Sequence, residues 1–164
     1  ARSKDALERL SREVKSACTG LNDVPAELSH KIEKLKSISR FLHGFDDWLN
    51  GCQVRGRPPI LTITKNGEQM AKWDPRRGRF LMSKACIRSM HDSDSLKVVE
   101  LLDEVDWVGD IFPNMVKKND SNILVGDEIR VIQTGKLLGS ARVLAPGWEW
   151  PHGPGKLAKS RHRI

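Results

Sequence analysis

The sequence predicts an α+β protein. Three observations carry that expectation. Apolar residues recur at helical spacing near the amino terminus, β-branched runs and Asn-Gly or Gly-containing turns follow, and a clear strand–turn–strand pattern lies at 123–144. The expected order is N-terminal helices, a small three-stranded sheet with a helix, and a C-terminal β domain. We place the helical region at 1–52, the small α+β unit at 53–92 and the β domain at 93–164.

Residues 2–17 read as a helix, because Leu7, Leu10, Val14 and Ala17 fall three or four apart, and Gly20 closes it. A second helix starts near Pro25 and runs to about Leu42. Its apolar stripe is Leu28, Ile32, Leu35, Ile38, Phe41 and Leu42. A short helix, Asp46–Asn50, ends at Gly51. The residues from Gln53 to Pro59 are basic and rich in Gly and Pro, so they are not helical. Ile60–Thr64 and Glu68–Trp73 are strands joined by an Asn66-Gly67 hairpin turn. Arg79–Met82 is the third strand, and Ser83 N-caps a helix to about Met90.

His91–Ser95 is a polar linker. Lys97–Leu102 reads as a strand, followed by an acidic turn to Trp107 and a Gly109- and Pro113-containing segment. Val125-Gly126-Asp127 forms a turn, and Glu128–Gln133 alternates charged and apolar residues as a half-buried strand does. Thr134-Gly135-Lys136 makes a hairpin loop and Leu137–Leu144 returns. Leu157–Ile164 is a final strand despite its charge.

The 164 residues carry a net charge of +7. Residues 53–90 hold 9 basic and 2 acidic side chains, whereas 91–110 hold 1 basic and 7 acidic. Residues 151–164 add 4 basic and no acidic ones. Two separate basic blocks almost free of acidic side chains point to a polyanion surface. Arg55, Arg57, Arg76, Arg77, Arg79 and Lys84 flank short strands from which turns present them to phosphates. Lys117 and Lys118 precede the hairpin. Lys156, Lys159, Arg161, His162 and Arg163 form the basic tail. For Trp73 and Trp107 core packing is the stronger expectation. Trp148 and Trp150 are equally suited to the core or to stacking on an unpaired base.

Chemistry is not nominated. Cys18, Cys52 and Cys86 are scattered, with neither a disulfide framework nor zinc spacing. The five histidines show no metal-ligand pattern, and Asp46-Asp47 reads as a solvated turn rather than an acid–base pair. No phosphate-loop or dinucleotide fingerprint occurs. The expectation is a protein without catalytic residues, metal or cofactor. The absence of a long apolar run or an amino-terminal apolar leader adds the expectation of a cytoplasmic protein that does not enter membranes.

The order of motifs from about Phe45 onward resembles the carboxy-terminal half of archaeal archaeosine synthases and tRNA-guanine transglycosylases, which ends in a PUA domain. The resemblance is carried by Val54-Arg55-Gly56-Arg57-Pro58-Pro59, Asn66-Gly67-Glu68-Gln69-Met70-Ala71 and the run Asp74–Ala85. In the β domain it is carried by Gly109–Val116, Val125–Val131, Leu138–Val143 and Gly155–Arg163. It implies a PUA-like β pseudo-barrel that binds tRNA or other structured RNA. Gly109, Pro113 and Asn114 would form its structural glycine loop. Asn114 stands where the family has glycine, and asparagine tolerates the positive φ of such a turn. The transglycosylases' catalytic barrel and cysteine-rich zinc motif have no counterpart in these residues. The implied role is therefore RNA binding in tRNA modification without base exchange. The alternative is an accessory subunit whose catalytic chain is separate and docks on the helices.

Overall fold

The computed structural model describes residues 26–150 and 155–164. The helix expected at 2–17 lies outside them. Among the described residues there are two helices and two antiparallel-rich sheets.

Helix α1, Ala26–His43, presents Leu35 to the first core, with Ile32, Ile38 and Leu42 packed beside it. The stripe spacing dictates this face. Phe41 falls off the stripe and is exposed. The expected short helix is a single 3-10 turn, Asp47–Leu49, which buries Trp48 and Leu49. The Trp48 indole donates to Ser39 Oγ at 2.8 Å, and that hydroxyl donates to the Phe45 carbonyl at 2.7 Å. A buried N–H is thereby satisfied within one short chain of bonds.

The first sheet has four strands rather than three: β1 (Gln53–Arg55), β2 (Leu61–Lys65), β3 (Glu68–Asp74) and β4 (Arg79–Met82), in the order β1-β2-β3-β4. The basic segment, expected not to be helical, supplies the unexpected fourth strand: it alternates outward Gln53 and Arg55 with buried Val54, which pairs with Ile63. Asn66 and Gly67 turn at φ 51° and 82°, the left-handed pair that an Asn-Gly hairpin requires. Helix α2 (Lys84–Asp92) begins at Ser83, whose hydroxyl accepts from the Cys86 amide at 3.2 Å. Cys86, Ile87 and Met90 on its inner face cover the sheet.

The second sheet runs β6-β5-β7-β8-β9, with β5 Val98–Leu101, β6 Val116–Asn119, β7 Glu128–Gln133, β8 Lys136–Val143 and β9 Ala158–Arg163. Strand β6 was not expected from sequence. It pairs antiparallel with β5, which on its other side lies parallel to β7. Ile111 bridges to Ala158, its amide donating to the Ala158 carbonyl at 2.8 Å, so the segment before β6 reaches across to β9. Val99, Leu101, Ile129, Val131, Val143 and Leu157 form the second core with Trp107 and Trp150. The Trp150 indole donates to the Ala145 carbonyl at 2.6 Å. Of the two tryptophans left open between core and surface, Trp150 is thus core, whereas Trp148 is 63% exposed.

One expectation for β7 is reversed. Its charged positions do not face water: Glu128 is 8% and Arg130 4% exposed, as buried as the alternating Ile129 and Val131. Alternation correctly separates two faces, but it does not say what covers the polar one. Here the first sheet and α2 cover it.

Candidate nucleic-acid interface

Register defines the polar face of the second sheet. Glu128 pairs with Arg142, which pairs with Lys159, while Arg130 pairs with Ser140, which pairs with His162. Directly opposed residues share a face, so these rows lie together, away from the Ile129–Ala141 row in the core. A bulge falls between Ser140 and Ala141 against β9, where Arg161 is the residue left over. One extra residue re-aims side chains at such a point.

This face is tied to the first sheet by named bonds. Arg130 Nε donates to the Leu96 carbonyl at 2.8 Å, and its Nη2 reaches Asp94 Oδ1 at 2.5 Å. Its Nη1 lies 3.1 Å from His91 Nδ1 at the end of α2. At the other end of the seam, His162 Nε2 lies 2.8 Å from the Met82 carbonyl of β4.

Beside these ties, on the Glu128–Arg142 side of the Arg130–Ser140–His162 row, a narrow cleft opens. His43 from the end of α1 and Arg79, Phe80 and Leu81 from β4 form one side of it, and Gly126, Glu128, Arg142 and Arg161 the other. Glu128 anchors the far side: Oε1 accepts from Ser140 Oγ at 2.5 Å, and Oε2 lies 3.5 Å from Arg161 Nε. Burial raises the Glu128 carboxyl above its ordinary range, although Ser140, Arg161, His162 and Arg142 all pull it down. Arg79 is held below the ordinary guanidinium value, first by desolvation and then by the like charges of Arg142, Arg77 and Arg161. His43 is likewise lowered by burial. The imidazole Nε2 of His43, Arg79 Nε and Arg161 Nε are buried without a hydrogen-bond partner. The cleft therefore gathers more cationic donors than its one carboxylate occupies.

The structure sorts the sequence-predicted residues. Arg79 and Arg161 line the cleft, Arg77 lies within electrostatic reach of Arg79, and Lys159 stands exposed beside Arg142 on β9. Arg77 also pairs with Asp74 at 3.4 Å. Arg55 and Arg57 are exposed at the β1 edge, the opposite edge of the first sheet from β4. Arg76 and Lys84 are exposed, in the β3–β4 turn and at the start of α2. Lys117 and Lys118 lie on β6, the sheet edge opposite β9, and Lys117 is engaged by Glu100 at 3.3 Å and Asp103 at 3.2 Å. Lys156 pairs with Asp110 at 2.6 Å, Arg163 is exposed, and the His162 imidazole is occupied by Met82.

The expected glycine loop takes another form. Gly109 has open space around its Cα, and Pro113 opens a 3-10 turn through Asn114 to Met115. Asn114 is not among the residues at positive φ, because proline fixes a helical φ and starts the turn ahead of it.

Arg142, Glu128 and His43 were missed in the sequence. Arg142 had a usable signal, since it sits two positions from Ser140 on one face of a strand, opposite the charged register of β7. His43 had none.

Among the described residues no group of three or more His, Cys, Asp or Glu side chains could hold a metal ion. No helix among them is long and apolar enough to cross a membrane.

Comparison with solved structures places this arrangement among mixed α and β proteins with a PUA-like fold. A conserved PUA domain protein from Thermoplasma acidophilum superposes with a TM-score of 0.58 at 19% identity, over 82% of this chain and 89% of that one. The hypothetical protein PH0734.1 from Pyrococcus horikoshii OT3 gives 0.56 at 16% identity, over 80% and 89%. AF0587, a protein of unknown function, gives 0.65 at 19% identity over 79% of this chain, which spans only 46% of that longer one. No family model and no curated protein matches the sequence. The relation to archaeosine synthases and tRNA-guanine transglycosylases rests on the motifs alone.

Proposed function

We propose that this chain is a noncatalytic RNA-binding protein, whose ligand is tRNA or another structured RNA and whose setting is tRNA modification of the archaeosine type. The observation that carries this reading is the gathering of Arg77, Arg79, Arg142, Lys159 and Arg161 from the β3–β4 turn, β4, β8 and β9 along one seam. Guanidinium groups on strands give a pre-set array for successive phosphates of a folded stem, and phosphate contacts set register without reading sequence. The PUA-like fold is consistent with such a role, and the motif resemblance supplies tRNA as the first RNA to try.

The test is binding of unmodified tRNA by fluorescence anisotropy at two salt concentrations. If these side chains neutralise about three phosphates, affinity falls on the order of 40-fold between roughly 50 and 200 mM salt. Lys159→Ala should weaken binding and reduce the salt slope by about one contact. Affinity independent of salt, or unchanged in Lys159→Ala and Arg163→Ala together, sinks the reading.

A second reading is an accessory subunit of a tRNA-modifying enzyme with a separate catalytic chain. It draws on the greater length of AF0587, in which this fold accounts for part of the molecule. Stable co-purification with a modifying enzyme would favour it over a lone RNA binder.

A further inference from the structure

We infer that the cleft between the two sheets is a phosphate subsite, in which Arg79, Arg142 and Arg161 converge on one oxyanion and Glu128 holds Arg161 in place. The inference rests on, and sharpens, the RNA-binding reading, by assigning one site to one chemical group.

Three features of the cleft carry it. The guanidinium groups come from three different strands and share one carboxylate, so the local charge is uncompensated. Glu128 is itself committed, to Ser140 at 2.5 Å and at the longer distance of 3.5 Å to Arg161, and leaves Arg79 Nε buried without an acceptor. A buried donor left unmet is costly, so it favours an incoming acceptor. Finally, the enclosed space is about 10 Å³, room for a single oxygen-sized atom. That geometry suits one non-bridging phosphate oxygen entering between the arginines while the rest of the group stays at the mouth. A carboxylate would meet the same donors with less charge, and a planar base does not fit.

Glu128 then acts as a positioning residue. It orients Arg161 through the long Nε–Oε2 contact and prevents the arginines from dispersing in the empty site. The burial of Glu128 lessens the screening of that contact by salt.

The phosphate has two sources, an RNA strand or a free phosphate, and the test separates them. Inorganic phosphate is titrated into the whole chain at constant ionic strength, with chloride as the control, while the arginine Nε–Hε NMR signals are followed. Saturable shifts of Arg79, Arg142 and Arg161 are expected, with little change at Arg57 and Arg76. Arg142→Gln should weaken phosphate about tenfold, with its amide spectrum otherwise preserved. Because the wild-type titration needs no variant, misfolding of Arg142→Gln would not rescue the idea. Linear shifts, equal shifts at Arg57 and Arg76, or an effect reproduced by chloride would overturn it.

Oligoribonucleotides with a 5′-phosphate or a 5′-hydroxyl complete the assignment. Equal weakening of both by Arg142→Gln places an internal phosphodiester in the cleft. Weakening of the 5′-phosphorylated strand alone places a terminal phosphate there. Saturable phosphate binding with no RNA affinity at all would keep the subsite and refute the RNA-binding reading.

Discussion

His162 Nε2 lies 2.8 Å from the carbonyl oxygen of Met82, joining the last strand of the second sheet to the last strand of the first. A basic-tail histidine thereby serves as a structural tie, and the prediction is that its main contribution is to stability. His162→Ala leaves a part-buried carbonyl unpaired and should cost about 1–2 kcal/mol in urea unfolding. Its RNA affinity should stay within about twofold of wild type once the protein is folded, whereas Lys159→Ala lowers it. An RNA loss for His162→Ala larger than for Lys159→Ala would contradict this division.

Gly139 lies opposite Arg163 in the β8–β9 pair, and any Cβ there would sit 1.9 Å from the His162 carbonyl oxygen. The obstacle is backbone, not a side chain that could swing aside. Glycine within a strand marks such a close approach of another backbone. Gly139→Ala should therefore open the β8–β9 ladder and cost about 3 kcal/mol or more. Thermal unfolding checks it, and a change below about 1 kcal/mol would show that the strands part without penalty.

Arg130 and Asp94 form an unequal pair. The arginine side chain is 5% exposed and the aspartate 89%. Removing the buried partner strips the Leu96 carbonyl of its donor as well as the carboxylate. Arg130→Ala should cost about 3 kcal/mol, while Asp94→Asn, at an exposed position, should cost far less. Equal losses from the two would mean that the exposed contact, and not the carbonyl bond, holds the seam.

His43 makes stability depend on pH. Burial lowers its pKa below the ordinary 6.5, with Asp127 opposing and Lys97 assisting. The folded state thus binds its proton less readily than the unfolded state. No penalty exists well above pH 6.5, and one grows as pH falls through 6.5 toward the lowered folded value. Glu128 works in the opposite sense, since the cost of its raised pKa eases as pH falls through that value. His43→Phe, beside Phe45 and Phe80 whose rings lie 6.1 and 6.0 Å away, should flatten the acid-side loss. Urea midpoints at pH 7.5 and 5.5 measure it, and an undiminished drop in the variant assigns the loss elsewhere.

The elements most readable in the sequence are those fixed by local chemistry. Asn66-Gly67 and Thr134-Gly135 dictate left-handed hairpin turns, and Ser83 caps α2 through its own hydroxyl. Strand β6 escaped notice because Val116–Asn119 has little β character of its own. It is held by pairing with β5, from which it is separated by an irregular segment. The site was only half legible for a related reason. Composition marks Arg79 and Arg161 as basic, but only tertiary register places Arg142 and buried Glu128 with them. Lys117 and Lys156 carry carboxylate partners that charge counting did not show, Glu100, Asp103 and Asp110 from the acidic stretch.

The polar seam gives the molecule two kinds of joint with different responses to heat. Each core is held by apolar burial, which gains little further strength on warming. The seam is held by Arg130 and His162, charged or polar groups whose desolvation becomes less costly as temperature rises. Warming therefore favours the joint over the halves it connects.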